Sequence, residues 1–579
     1  MKPATAAAIV AAATAAIYWP ALHAGFVGDD FMILHRLRDL TGPADVSRFF
    51  RGEFFEYYRP IGFLAHAADW AVAGADPRQF HLTNLLLHAA STLIVLLIGV
   101  RLAPGTPAGF AAALLFALHA SNHEAVVWVS ARFDLLATFF SLAALWWMVR
   151  EGAAQAVVPP LLFLLAVLSK ESAVALPVAA ASYLVFQRRA GTAETIRRLA
   201  PWLAALAAYA VLRSLGGGVS PIGGASRLPK LAAFASALLL LLLLADGRWL
   251  RVRAWLRERR TIAACAMLLA VGLAAGAAAA NGGAGLAADK LAVAGFALFH
   301  LASPVLDVFD RTPFYQDAGT AMYWLGGAIA LAAVAALAWR TLLDDGRVWF
   351  LGGFLLAALI PISALTEGAR YLYLPSAAVS LLCGVLLADT SGALRRGAIA
   401  AVVIFVAVSA GQIALKVRDW NWAGRLTAQG SALVDASLAP ACGGDVIFLT
   451  APVAIRGVYT HFYYETFELP RGCMPETFQI LARVVRQDAA IVARWTDASS
   501  IEITAPDYRG NLVFAADLRH FDRPLREAGP IALTTPLGDL RGERSGRALR
   551  LTLTLAAAVL DRSPRIFYYS EGRILALAK

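Results

Sequence analysis

The chain has 579 residues, 59% hydrophobic and 16% charged, with a mean hydropathy of +0.63. An ordinary soluble domain carries about a quarter charged residues, so composition excludes a fold wholly in water. The net charge of +11 does not point to nucleic acid: the basic residues fall in short blocks between apolar runs, such as Arg248 to Arg260, as they do in cytoplasmic loops of membrane proteins.

The start, Met1-Lys2 and then an apolar stretch Pro3 to Leu22, reads as a secretory signal or as a retained first helix. The lack of a clean small-residue cleavage site favours the helix. A crossing takes about 20 mainly apolar residues, and candidate spans run near 4–22, 84–102, 108–127, 133–149, 156–169, 172–186, 200–215, 229–245, 261–280, 321–339, 347–364, 371–389 and 397–416, about thirteen in all. The stretch 286–304, interrupted by Asp289, Lys290, His300 and Pro304, reads as interfacial or re-entrant. With the start inside, the inner segments hold 17 Lys and Arg against 8 in the short outer ones. That bias puts loop 23–83 and the C-terminus outside.

The first outer loop opens with Gly28-Asp29-Asp30. Two adjacent carboxylates at the mouth of a membrane cavity repel, which raises one pKa and suits a general base; a solvated loop beginning with two acids is the plain alternative. Further on, Phe49 to Pro60 alternates charge with aromatics and includes Tyr58 and Arg59, a pattern that suits an amphipathic helix on the membrane face. His81, Asn84 and His88 recur at one-face helical spacing, as a polar stripe entering the bilayer, with His81 at its surface end. His88 reads equally as a helix-joining hydrogen-bonding residue, whereas the surface place of His81 favours a functional role.

The end of the third span carries His119, His123 and Glu124, followed by Trp128, Arg132 and Asp134. The i, i+4 histidines invite a shared metal, but no third and fourth ligands declare themselves. A divalent metal is therefore left open and no cofactor is assigned. Lys170-Glu171 sits between two apolar segments, as a phosphate-holding ammonium or a hairpin-capping pair. Arg370 stands beside Tyr371 and Tyr373 at a membrane edge, where a guanidinium can clamp phosphate bidentately.

Beyond about residue 420 hydropathy falls, and short β-rich runs at 445–450, 458–467, 500–504, 511–515, 549–555 and 565–569 predict an extracytoplasmic soluble domain, α/β or mostly β. Cys442 and Cys473 lie there and are candidates for a disulfide; Cys265 and Cys383 lie in apolar runs and read as packing residues. The fold class is thus a polytopic α-helical membrane protein, with a membrane module over 1–418 and a soluble domain over 419–579.

In order, Gly28-Asp29-Asp30, Tyr58-Arg59-Pro60, Phe80 to His88, Phe116 to Asp134, Leu168-Ser169-Lys170-Glu171 and Arg370 to Ser376 resemble the GT-C membrane glycosyltransferases, and within them the transmembrane and tetratricopeptide-repeat O-mannosyltransferases and their bacterial relatives. The resemblance covers about the first 400 residues. It implies an inverting transferase with a polyprenyl-phosphate sugar donor, Asp29 or Asp30 as base with a slight preference for Asp29, and Arg59, Lys170 and Arg370 on the donor phosphate. It makes Tyr58, His81, Asn84, His88, His119, His123, Glu124, Arg132, Asp134, Glu171, Tyr371 and Tyr373 lining residues of the substrate cavity. The acceptor would be a protein, glycan or lipid hydroxyl.

Two departures stand out: the family's helical repeats are missing, and Ala120 stands where the family often has proline. The alanine- and arginine-rich style suggests a GC-rich bacterium, hence an undecaprenyl carrier, an inner-membrane location and a periplasmic site. The alternatives are a transporter or flippase of lipid-linked sugars, which would place ionisable groups at mid-membrane and show inverted repeats, and a membrane anchor presenting the C-terminal domain.

Overall fold

The computed structural model describes residues 2–40, 42–52, 57–150, 152–216, 237–248, 250–251, 297, 299–304, 345–361, 368–438, 445–452, 454–455, 458–460, 477–484, 490–506, 512–514 and 529–578. The principal helices in chain order are α1 (Pro3–Tyr18), α2 (Asp29–Arg38), α3 (Ser47–Phe50), α4 (Pro60–Ala73), α5 (Pro77–Leu102), α6 (Ala108–Ala117), α7 (His123–Val127), α8 (Arg132–Arg150), α9 (Val158–Ser169), α10 (Leu176–Ser182), α11 (Thr192–Leu215), α12 (Gly346–Leu359), α13 (Tyr373–Ala388) and α14 (Gly392–Leu438). They belong to two compact units: one takes Met1–Leu22, Thr41–Val308 and Gln316–Lys416, and the other groups His23–Leu40 with Val417–Lys579. The segment bearing Asp29 and Asp30 therefore belongs with the C-terminal unit.

Among the described residues, five helical stretches are long and apolar enough to cross a membrane: Pro3–His23, Pro77–Leu102, Val129–Arg150, Ala369–Ala388 and Gly392–Ser437. A bent pair, Ala108–Ala117 with Ala120–Val127, makes a sixth. Ala154–Ser169, Glu171–Gln187 and Gly346–Leu359 are shorter apolar helices. The chain is a polytopic helical membrane protein. The expected spans at 229–245, 261–280 and 321–339 and the interfacial stretch 286–304 lie wholly or partly outside the described residues, as do Cys442 and Cys473.

Small residues let the helices of the first unit approach closely, as is usual in lipid. A Cβ on Gly99 of α5 would lie 2.6 Å from the Gly109 Cα of α6, and one on Gly384 of α13 would lie 2.5 Å from the Ala108 carbonyl oxygen. The crossing of α5, α6 and α13 thus brings backbone nearly to backbone.

Three expected elements take a different form. The span at 108–127 is not one rod but is bent by 50°. His119 is extended, and the Asn122 side chain donates to the Phe116 carbonyl at 2.8 Å, satisfying backbone that the break leaves open. The segment Phe49 to Pro60 is not a continuous helix: α3 ends at Phe50, Gly52 takes φ +66°, and α4 starts at Pro60, whose ring suits a first helical position. The last helix does not stop near 416 but runs to Leu438, because its later residues bury Leu426 and Val434 in the core of the second unit.

In that unit the strands are β1 (Asp445–Pro452), β2 (Ala454–Ile455), β3 (Val458–Tyr459), β4 (Thr477–Val484), β5 (Val492–Trp495), β6 (Ser500–Ala505), β7 (Leu512–Phe514), β8 (Gly529–Thr535), β9 (Gly538–Ser545), β10 (Ala548–Leu555), β11 (Arg565–Ser570) and β12 (Arg573–Ala576). One sheet has the order β12-β11-β1-β4-β7, with β1 parallel to both neighbours. Its run Val446-Ile447-Phe448-Leu449 is buried throughout, as a central parallel strand requires. The other, β5-β6-β10-β9-β8, is antiparallel. Here Leu549, Leu551, Leu553 and Leu555 of β10 alternate into the core.

Candidate active site

The first unit gathers the three cations expected to meet phosphate, and each is held by a carboxylate from another helix or turn. Arg59, just before α4, donates from Nε and Nη2 to the two oxygens of Glu171 at 3.0 and 2.6 Å. Lys170 Nζ lies 2.7 and 2.6 Å from the two oxygens of Asp134, in the first turn of α8. The Arg370 guanidinium pairs with Glu124 of α7, while the Arg370 backbone N–H donates to the other Glu124 oxygen at 3.0 Å. Tyr371 joins the set: its ring centroid lies 4.8 Å from Lys170 Nζ and 4.5 Å from the Arg370 guanidinium carbon, and its hydroxyl accepts from Arg370 Nη2 at 2.9 Å. Trp128 lies against Arg370 on another side, 4.8 Å away.

These pairs are largely shielded from water, so each charge needs its partner. Burial opposes ionisation of both Arg59 and Glu171, but their attraction and hydrogen bond outweigh it: the Glu171 carboxyl is held down to about 2 and the Arg59 guanidinium above its ordinary value. Glu171 takes only one edge of a guanidinium that carries five donors. Three neutral pairs can receive a phosphate by sharing their remaining hydrogens, without first creating three bare cations.

The other expected lining residues form struts. Arg132 is wholly buried: Nε donates to Asn84 Oδ1 at 2.8 Å, Nη1 and Nη2 reach the Ala65 and Phe80 carbonyls at 3.1 and 2.7 Å, and Nη1 lies 2.6 Å from Asp69. This knot ties α4 and α5 to the start of α8, and so locates Arg59 relative to Asp134. Asp69 is not among the residues the sequence reading singles out, although it is the one acid inside the apolar helix Pro60–Ala73, itself a signal. His88 bonds the Tyr373 hydroxyl at 2.7 Å and the Ala117 carbonyl at 3.1 Å, joining α5, α6 and α13. His81 is buried rather than at the surface, since Pro77 starts α5 about two turns before residue 84 and His81 falls inside the helix. Tyr58 is buried, its ring 6.4 Å from Tyr209 of α11.

His119 and His123 do not share a helical face, because the break falls between them. His119 bonds Ser121 Oγ at 2.8 Å and the Leu301 carbonyl at 3.3 Å, while His123 Nδ1 turns to the Ala120 carbonyl at 3.0 Å. Among the described residues no group of three or more His, Cys, Asp or Glu is placed to hold a metal ion.

Asp29 and Asp30 belong to the second unit. Gly28 has φ +54°, a conformation that favours glycine, and delivers the chain into α2. Asp30 is buried and its Oδ2 accepts from the Val27 backbone N–H at 2.9 Å, reaching back over the helix start. Asp29, one position earlier, is only half-buried. Both acids face the positive end of the α2 dipole.

Fold and site thus define an integral membrane protein with a carboxylate-bound cationic site and a separate segment bearing two acids. No family model matches the chain. It is similar to the protein O-mannosyl-transferase TMTC3 of Mus musculus, 32% identical over 146 residues that make up 24% of this chain and 16% of that protein. It is also similar to Tmtc1 of Drosophila melanogaster, 31% identical over 129 residues, 21% and 15% of the respective lengths. The match spans about a sixth of those relatives. Among solved structures, the archaeal oligosaccharyltransferase AglB from Archaeoglobus fulgidus, in complex with an inhibitory peptide and a dolichol-phosphate, aligns over 82% of this chain and 64% of that one, with a TM-score of 0.44 and 12% identity.

Proposed function

We propose that the chain is an inverting glycosyltransferase that moves a sugar from a polyprenyl-phosphate carrier to an acceptor hydroxyl at the outer face of the membrane. The observation that carries this reading is the gathering of Arg59, Lys170 and Arg370 near Tyr371, in a chain similar to proteins named O-mannosyl-transferases. In this reading Asp29 takes the proton of the acceptor hydroxyl, whose oxygen bonds to the anomeric carbon from the face opposite the leaving group. The bond from that carbon to the phosphate oxygen breaks, its electron pair leaves with the polyprenyl phosphate, and the extra negative charge falls to the three cations. Asp30 positions Asp29 by fixing the start of α2.

The membrane part, 1–418, then performs the transfer and 419–579 is an extracytoplasmic domain. The carrier is undecaprenyl phosphate, the acceptor a protein, glycan or lipid, and the compartment the periplasmic side of a bacterial inner membrane. Membranes containing the chain, given synthetic polyprenyl-phosphate sugars of several kinds, are expected to form glycosylated product with inverted anomeric configuration. Transfer from a nucleotide sugar alone, with no use of any lipid-linked donor, would contradict the proposal.

A further inference from the structure

A cavity of about 370 Å³ opens among the ends of α8, α9 and α11, lined by Met148, Gln155, Leu184, Arg197, Arg198 and Trp202 among others. It lies at the opposite end of the helices from the ion pairs: Arg132 and Asp134 start α8, and Met148 lies in its last turn. Nineteen residues at about 1.5 Å each span roughly 28 Å, close to the ~30 Å thickness of a bilayer's hydrocarbon core. The cavity is thus at the other membrane face.

Its lining divides by chemistry. Arg198 is engaged, with Nε to Glu194 at 2.9 Å and Nη1 to Gln155 at 3.1 Å. Arg197 is exposed and has no carboxylate partner among the described residues. Pro201, Trp202, Leu184 and Met148 supply an apolar wall. Around it, Val157 and Leu161 on the α9 side and Ile196 and Leu203 on α11 are large apolar side chains left 42–58% exposed, a surface suited to acyl chains.

We propose that this cavity binds the headgroup of an anionic phospholipid, with Arg197 on the phosphodiester, Gln155 and Arg198 around it, and the acyl chains along α9 and α11. A cationic pocket between helices at the headgroup level, open to an apolar flank, fits a lipid better than a free anion. The inference does not rest on the transferase reading.

The purified full chain in detergent is mixed with a short-chain phosphatidylglycerol, a phosphatidylcholine of the same chains, or inorganic phosphate, and bound molecules are counted by native mass spectrometry. Phosphatidylglycerol is expected to bind best. Arg197→Gln is expected to weaken it about fivefold, ~1 kcal/mol, and Ala156→Trp, which fills the cavity without removing charge, to abolish the site. Arg395→Gln, an exposed arginine at the start of α14, is the control and is expected to change nothing. Equal binding of both lipids, equal loss in the Arg197 and Arg395 variants, undiminished binding to Ala156→Trp, or phosphate bound without lipid would each overturn the proposal.

Discussion

Asp134→Asn isolates the central ion pair. Asp134 gives both oxygens to Lys170 Nζ, at 2.7 and 2.6 Å, and the two side chains are 8% and 5% exposed. Removing one partner of such a pair strands the other charge away from water, which costs about 3–5 kcal/mol. Against a total stability of about 5–15 kcal/mol that is a large share. The double variant Asp134→Asn/Lys170→Met removes both charges and should recover most of the loss, so a double-mutant cycle should return a coupling of ~3 kcal/mol. Unfolding of the purified protein in detergent, followed by tryptophan fluorescence, measures all four corners. Transfer should stay low in the double variant although its stability returns, because Lys170 is assigned to the donor phosphate. A single-variant cost below about 1 kcal/mol, the level of an exposed pair, would refute the reasoning.

Glu171 sets a pH dependence. Its carboxyl is held down to about 2 against an ordinary 4.5, so its contribution is complete above the unfolded value and is lost as pH falls through the folded one. Between pH 4.5 and 2 the wild type should therefore lose more stability than Glu171→Gln, as read from unfolding midpoints at each pH; parallel curves would count against the Arg59 pairing. Asp30→Ala, which removes the acceptor of the Val27 N–H, should cost about 0.5–2 kcal/mol, seen as a lowered melting temperature, whereas Asp30→Asn, whose side-chain oxygen can still accept that bond, should lose less. Gly109→Leu should prevent the close crossing of α5 and α6, where a Cβ already meets the Leu96 carbonyl oxygen at 2.7 Å. The expected outcome is little folded protein on detergent size-exclusion chromatography, against a normal yield for Gly411→Leu on an exposed face of α14, where nothing lies within 4 Å.

Hydropathy made the long spans legible, and residues of unusual cost in lipid pointed to the site region: Arg370, Lys170 and the Gly28-Asp29-Asp30 run. Their partners were not legible. Arg59 meets Glu171 across 112 positions and Arg370 meets Glu124 across 246, and only tertiary packing creates such neighbours. The Lys170-Glu171 turn reads as a phosphate-holding ammonium or an internal capping pair, yet Lys170 turns to Asp134 and Glu171 to Arg59. Polar side chains broke the span at His119 through hydrogen bonds to backbone that no hydropathy window contains. Among the strands, β1 and β10 carried clear apolar patterns. Strand β9 did not: Gly538 to Ser545 has Leu540 as its single large apolar residue, and it is held by pairing with β8 and β10 rather than by its own composition. That Asp30 bonds the Val27 backbone just ahead of α2 while its neighbour is half-buried needed coordinates, since adjacency alone treats the two acids alike.

The most direct test of the central claim is single-turnover transfer from a synthetic polyprenyl-phosphate sugar by Asp29→Asn, in membranes where its abundance and melting temperature match the wild type. Loss of transfer by about a hundredfold or more, the usual scale for a missing general base, is the predicted result, with Asp30→Asn retaining part of the rate. Full-rate transfer by the Asp29 variant would contradict the account.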